Sequence, residues 1–171
     1  MMPYVLSRPP ASFDPGTGLL IAEQFQMAYV TNDIERALEL LGARLGIRQF
    51  ARLEGPFPEG GQIRAEFTWV GTLMYEVIQA SGPGSAIFMD RFPQTDGFHL
   101  MHHHLGFLIR DREQWDRGLA AAERNGFAVP HRNSNPLVDV AFIDVPELGH
   151  YLEYLLPTQA GLDFFDSVPR H

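Results

Sequence analysis

Residues 25–46, FQMAYVTNDIERALELLGARLG, pass from one hydrophobic period to another within a few residues. FQMAYV alternates with the period of two that a half-buried strand requires, and Thr31, Asn32 and Asp33 then supply side chains suited to capping a helix. Ile34, Ala37, Leu38, Leu41 and Leu45 recur at the spacing of one helical face, and Gly42 and Gly46 mark its end. Three strand-like runs follow: IRQFARL (47–53), then, beyond the turn-rich EGPFPEGG, IRAEFTWV (63–70) and TLMYEVIQ (72–79), the last two parted by Gly71. The unit reads β-α-β-β-β.

The same order returns after SGPGSAIFMDRFPQTDG (81–97). HHHLGFLI (102–109) reads as strand, DREQWDRGLAAAERNG (111–126) as helix, and FAVPHR (127–132), VDVAFIDV (138–145) and HYLEYLL (150–156) as strands. The repeat has a constant register: Gln26 and His104 are 78 residues apart, as are the helix-opening Asp33 and Asp111, while Glu76 and Glu153 are 77 apart. One small βαβββ sheet cannot bury its apolar face under a single helix, so two modules side by side are expected. The expected fold is α+β, two tandem βαβββ modules forming an open half-barrel cup. Its parts are an N-terminal arm (1–22), a first module (23–80), a connecting loop (81–99), a second module (100–157) and a C-terminal tail (158–171).

Composition narrows the chemistry. The chain has 171 residues, 45% hydrophobic and 20% charged, with a formal net charge of −8 and no run of like charges, which argues against a nucleic-acid partner. All 13 basic residues are Arg, a bias expected of a GC-rich bacterial genome. The absence of cysteine removes disulfides, thiolate ligands and thiol nucleophiles. No apolar stretch is long enough to span a membrane, and MMPYVLSRPPASFDPGTG lacks the pattern of a secretion signal, so a cytoplasmic protein is expected.

Period-two alternation puts Met74, Glu76 and Ile78 on one strand face, His104 with Gly106 and Leu108 on another, and Glu153 with Tyr151 and Leu155 on a third. Each module thus offers one ligand candidate on its first strand and one on its last. Charged Glu76 and Glu153 inside apolar strands are costly unless a metal or a partner compensates them. Gln26, Glu76, His104 and Glu153 together offer an amide oxygen, an imidazole nitrogen and two carboxylates, a donor set suited to a divalent ion such as Ni, Co, Zn, Mn or Mg. Such an ion polarises a carbonyl, and Glu153 or Glu76, made more basic by desolvation, is the expected catalytic base.

Other residues carry two readings each. Arg64, Glu66 and Thr68 alternate with Ala65, Phe67 and Trp69, and their polar face either lines the pocket or is simply solvated. His131, near Asn133 and Asn135, reaches the cup rim or lies in a loop. His103 is expected to point away from the cup or cap its rim. Residues 81–99 close over a substrate or form a packed linker.

FQMAYVTNDIERAL, TLMYEVIQ, HHHLGFLIRD and GHYLEYL resemble the glyoxalase, bleomycin-resistance and extradiol dioxygenase superfamily, the vicinal oxygen chelate proteins, over about residues 24–157. By motif the resemblance places the four metal positions on Gln26, Glu76, His104 and Glu153, an order that looks like glyoxalase I. It implies a metal-dependent lyase or isomerase that moves a proton next to a carbonyl of a small organic substrate. GSAIFMDRFPQTDGFHLMHHHLGF is also similar to methylmalonyl-CoA epimerases, although those usually carry Gln where this chain has Glu76 and His where it has Gln26. An acyl-thioester epimerase and a metal-free ligand-binding protein of the antibiotic-resistance type are the alternatives. The resemblance, and sheets that need covering, imply a homodimer.

Overall fold

In the computed structural model, which describes residues 18–171, the strands are β1 (Glu23–Thr31), β2 (Ala51–Pro56), β3 (Gln62–Val70), β4 (Leu73–Ser81), β5 (Leu100–Leu108), β6 (His131–Ser134), β7 (Val138–Val145) and β8 (His150–Pro157). They form one curled sheet in the order β2-β3-β4-β1-β5-β8-β7-β6. In each half the first strand pairs in parallel with the last, β1 with β4 and β5 with β8, and the halves join through antiparallel β1 and β5. The fold is the α+β half-barrel that the repeat implied. Part of the expected N-terminal arm, residues 1–17, lies outside the described residues. Among the described residues no helix is long and apolar enough to cross a membrane.

Helices α1 (Ile34–Leu45) and α3 (Arg112–Arg124) follow the first strand of each module. Each is opened by the aspartate that the spacing singled out: Asp33 accepts from the backbone N–H of Arg36 at 3.0 Å, and Asp111 from that of Gln114 at 2.7 Å. The convex face of the sheet is buried under them, Ile34, Ala37 and Leu41 packing on Val77, and Trp115, Leu119 and Ala122 on Ile143, Leu152 and Tyr154. The chain just before β1 joins the second group, with Ile21 and Ala22 buried there and the Ile21 carbonyl accepting from Gln114 Nε2.

Three local readings change. β2 begins at Ala51 rather than Ile47, because Gly46 ends α1 in the left-handed region (φ 77°) and drops Ile47 into the core beside Leu41. In FAVPHR only His131 onward is strand; Phe127 and Val129 pack instead beside α3, and Pro130 has no N–H to give a ladder. Two helices were not foreseen: α2 (Ala86–Met89) inside the connection and α4 (Gln159–Ser167) after the last strand.

Both unforeseen helices lie over the concave face. Phe164 meets the Phe67 ring edge-on at 5.3 Å, Phe165 lies 5.5 Å from Phe25, and Trp69 Nε1 donates to the Phe165 carbonyl at 2.9 Å. The chain end then runs beside β3, the Trp69 N–H donating to the Pro169 carbonyl and the His171 N–H to that of Trp69. The residues after β8 are thereby tied to the first module. Replacing the half-buried Phe165 by Ala is expected to lower stability by up to about 3 kcal/mol and the melting temperature by several degrees, measured by thermal circular dichroism.

Candidate metal centre

Adjacent cross-strand rows build the site. In one, Met74, Gln26, Gly106, Glu153 and Phe142 stand side by side; in the next, Phe67, Glu76, Ala28, His104 and Tyr151 do. Gly106 and Ala28 occupy equivalent places in the two modules, each between two of the candidate ligands. A side chain at Gly106 would not fit, since a Cβ there would fall 2.5 Å from Gln26 Oε1 and 2.8 Å from Gln26 Cβ. The small residue is what lets Gln26 lean across the strand towards the site.

The β1–β5 ladder contains two register shifts. Gln24 faces Phe107 while Gln26 faces Gly106, and Ala28 faces His104 while Tyr29 faces His102, so Phe25 and His103 are each an extra, bulged residue. A bulge breaks strict alternation and lets neighbouring residues share a face. His103 therefore does not point away or cap the rim, as alternation led us to expect. It is buried, with Nδ1 2.8 Å from His104 Nδ1 and Nε2 2.9 Å from the Ile87 carbonyl.

All four predicted ligands converge. His104 Nε2 lies 3.3 Å from Glu76 Oε2 and 3.0 Å from Glu153 Oε2, and Gln26 Nε2 donates to Glu76 Oε2 at 3.1 Å. One donor atom from each of Glu76, His104 and Glu153 falls within a 4.8 Å spread. Gln26 and His104 are 1% and 0% exposed, Glu76 and Glu153 8% and 6%. Among the described residues Gln26 Oε1, His104 Nε2 and Glu153 Oε2 are buried without a hydrogen-bond partner, the His104 contacts being close but poorly aligned for one. Buried, unsatisfied ligand-type atoms on His104 and Glu153, 3.0 Å apart, are what the chemistry of a divalent-ion site would satisfy. Amide oxygen, imidazole nitrogen and carboxylates fit a divalent ion of intermediate hardness.

Electrostatics point the same way. Burial lowers the affinity of His104 for a proton, but Glu153 and Glu76 more than offset this and raise its pKa to about 9. Burial raises the pKa of Glu76, with His104 opposing and Glu153 adding to the rise. His103, with no carboxylate partner, is held down to about 3, chiefly by burial and then by His104.

Of the residues with two readings, Arg64 and Glu66 lie on the face away from the site. Their alternates Ala65 and Phe67 belong to the concave core, while Glu66 is clasped by Arg52 and Arg64. His131 sits at the far end of the first row, opposite Phe142, its ring 5.8 Å from the phenyl ring. The segment 81–99 is pinned against the second module: Tyr151 Oη donates to Asp90 at 2.7 Å, and Arg91 pairs with Asp144 and stacks over the Tyr151 ring. Spacing could not reveal His103, because one-residue bulges leave no mark in hydrophobic periodicity.

No family model matches the chain. No curated protein does so either. Solved structures resemble it in fold. Methylmalonyl-CoA epimerase from Mycobacterium tuberculosis aligns with a TM-score of 0.55 at 14% identity over 83% of this chain and 91% of that one. A variant of the Streptomyces coelicolor enzyme in complex with 2-nitronate-propionyl-CoA gives 0.57 at 12% identity over 81% and 96%. A hypothetical protein from Bacillus halodurans gives 0.54 at 14% over 80% and 95%. The chain thus shares its fold with methylmalonyl-CoA epimerases.

In metal-free protein the His104 pKa of about 9 lies above its ordinary 6.5. The stability this group contributes is complete below pH 6.5 and lost as pH rises through 9. Chelator-treated protein should therefore melt at lower temperature at pH 10 than at pH 7, and zinc addition at pH 7 should release about one proton per ion, by calorimetry in buffers of different ionisation enthalpy.

Proposed function

We propose that this protein is a metal-dependent enzyme that moves a proton at a carbon next to a carbonyl, a glyoxalase I-like lyase or isomerase acting on a small organic substrate. Gln26, Glu76, His104 and Glu153 hold the ion. The observation that carries the reading is the pair of buried glutamates flanking His104 Nε2 at 3.3 and 3.0 Å, with unsatisfied donor atoms beside them.

A divalent ion held by these four residues would supply positive charge that stabilises the negative charge formed when the carbon next to a carbonyl loses its proton. The protein provides the rest. Glu76 and Glu153 come from opposite modules, β4 and β8, and one of them takes the proton from carbon. Burial of Glu76 makes its carboxylate a stronger base than it would be in water. Phe67, Phe88 and Phe142, all buried on this face, keep water from the reacting carbon. For a hemithioacetal, the proton leaves the carbon bearing sulfur and is returned to the neighbouring carbonyl carbon, giving a thioester of a 2-hydroxy acid.

A second reading, epimerisation of an acyl thioester, draws on the two-fold relation of the modules. With two carboxylates, one from each module, one can take the proton from a carbon and the other can return it. The epimerase names of the structural neighbours favour the same reading.

The test is proton exchange in D2O, followed by proton NMR, with nickel-, cobalt- or zinc-loaded protein and either hemithioacetals or branched acyl thioesters. Exchange that requires the ion and falls at least about 100-fold in Glu153→Gln or Glu76→Gln is expected. Conversion of hemithioacetal to hydroxy thioester identifies the first reading, and deuterium retained at the original carbon of an acyl thioester the second. Absence of exchange in both classes, with tight uptake of an aromatic ligand by metal-free protein, would contradict both.

A further inference from the structure

The two bulged residues are equivalent in the repeat, yet one is Phe25 and the other His103. Both turn into the concave face, and both meet a cover helix that follows the last strand of the other module: Phe25 meets Phe165 of α4, and His103 meets Ile87 and Phe88 of α2. Phe25 precedes an amide ligand candidate, which has no tautomer to set. His103 precedes an imidazole, which has two, and only one of them leaves a bare nitrogen facing Glu76 and Glu153.

The hydrogen bonds leave no freedom in that choice. A carbonyl oxygen only accepts, so His103 Nε2, 2.9 Å from the Ile87 carbonyl, carries the hydrogen. His103 is 4% exposed and ringed by Phe88, Tyr151 and Phe142 at 5.4, 5.2 and 5.6 Å, so its ring is neutral and its Nδ1 is a bare acceptor. His104 Nδ1, 2.8 Å away, must then be the donor. With Nδ1 protonated, the neutral His104 ring presents a bare Nε2, the atom lying 3.3 and 3.0 Å from the two carboxylates. Metal-bound histidines are generally held this way through their second nitrogen.

We propose that His103 is a positioning residue: anchored on the Ile87 carbonyl, it accepts from His104 Nδ1 and fixes His104 in the tautomer and ring orientation that offer Nε2 to the ion. The proposal rests on the reading of His104 as a metal ligand. It also ties the connecting segment to the metal site, because the anchor is a backbone atom of α2.

Two substitutions separate the two hydrogen bonds. In His103→Asn the side-chain oxygen takes the place of Nδ1 and still accepts from His104; in His103→Gln the amide nitrogen takes the place of Nε2 and still donates to Ile87, but the acceptor is lost. Zinc affinity of the full-length protein, by competition with a chromophoric chelator, should fall about 10- to 100-fold in His103→Leu and His103→Gln and stay within a few-fold of the unsubstituted protein in His103→Asn. Long-range 1H–15N NMR of histidine-labelled, metal-free protein should show His103 protonated at Nε2 alone, a result that needs neither metal nor variant.

Equal zinc affinity in His103→Leu and the unsubstituted protein, a Gln variant that binds better than the Asn variant, or a hydrogen on His103 Nδ1 would overturn the proposal. Lack of zinc binding by the unsubstituted protein, with the expected His103 tautomer present, would instead refute the metal reading on which it rests.

Discussion

Two carboxylates packed within 3.3 Å of one imidazole nitrogen, out of water, need a compensating charge. Glu76 and Glu153 repel each other and have lost most of their hydration, and the nitrogen between them is compensated only when it carries a proton or when a cation sits beside it. A proton on His104 answers part of this demand and leaves Gln26 Oε1 and Glu153 Oε2 without partners. A divalent ion beside Glu76, His104 and Glu153 would answer more of it. The sheet supplies what that arrangement needs: parallel pairing of first and last strands in each module, a small residue between the ligands of each row, and a concave face closed over by aromatic side chains.

The near-symmetry of the modules goes further than the βαβββ order. Each module continues past its last strand into a short helix, α2 or α4, that folds back over the concave face and packs on the bulged residue of the other module. The bulges at Phe25 and His103 turn both residues inward just before Gln26 and His104, so cover and ligand are set by the same irregularity in the ladder. Where the modules differ, Phe25 against His103 and Gln26 against His104, the difference matches what an amide and an imidazole would each need from a neighbour as ligands.

Much of this was legible in the sequence, and for a physical reason. Strand and helix periods, the caps at Asp33 and Asp111, and the recurrence of polar residues at one register all follow from local rules that the chain obeys twice. A glutamate in an otherwise apolar strand is conspicuous, so Glu76 and Glu153 could be singled out without a structure. The inward turn of His103 could not, because it depends on a bulge in the pairing between strands almost eighty residues apart. α4 was missed because its apolar residues, Phe164 and Phe165, are half-buried against the other module rather than against the strand before it. The polar face of β3 is open to two readings in the sequence; Glu66 opposite Val77, which packs under α1, and Arg64 paired with Glu35 of α1 put it on the outer side.

The buried Glu76, His104 and Glu153, with Gln26, are proposed to be held together around an ion. Elemental analysis of protein purified without added metal or a metal-affinity step, beside folded Glu76→Ala and Glu153→Ala variants, tests it most directly. About one divalent ion per chain is expected in the unsubstituted protein and little in either variant. A protein that carries none, and takes up none on titration with nickel, cobalt or zinc, would contradict it.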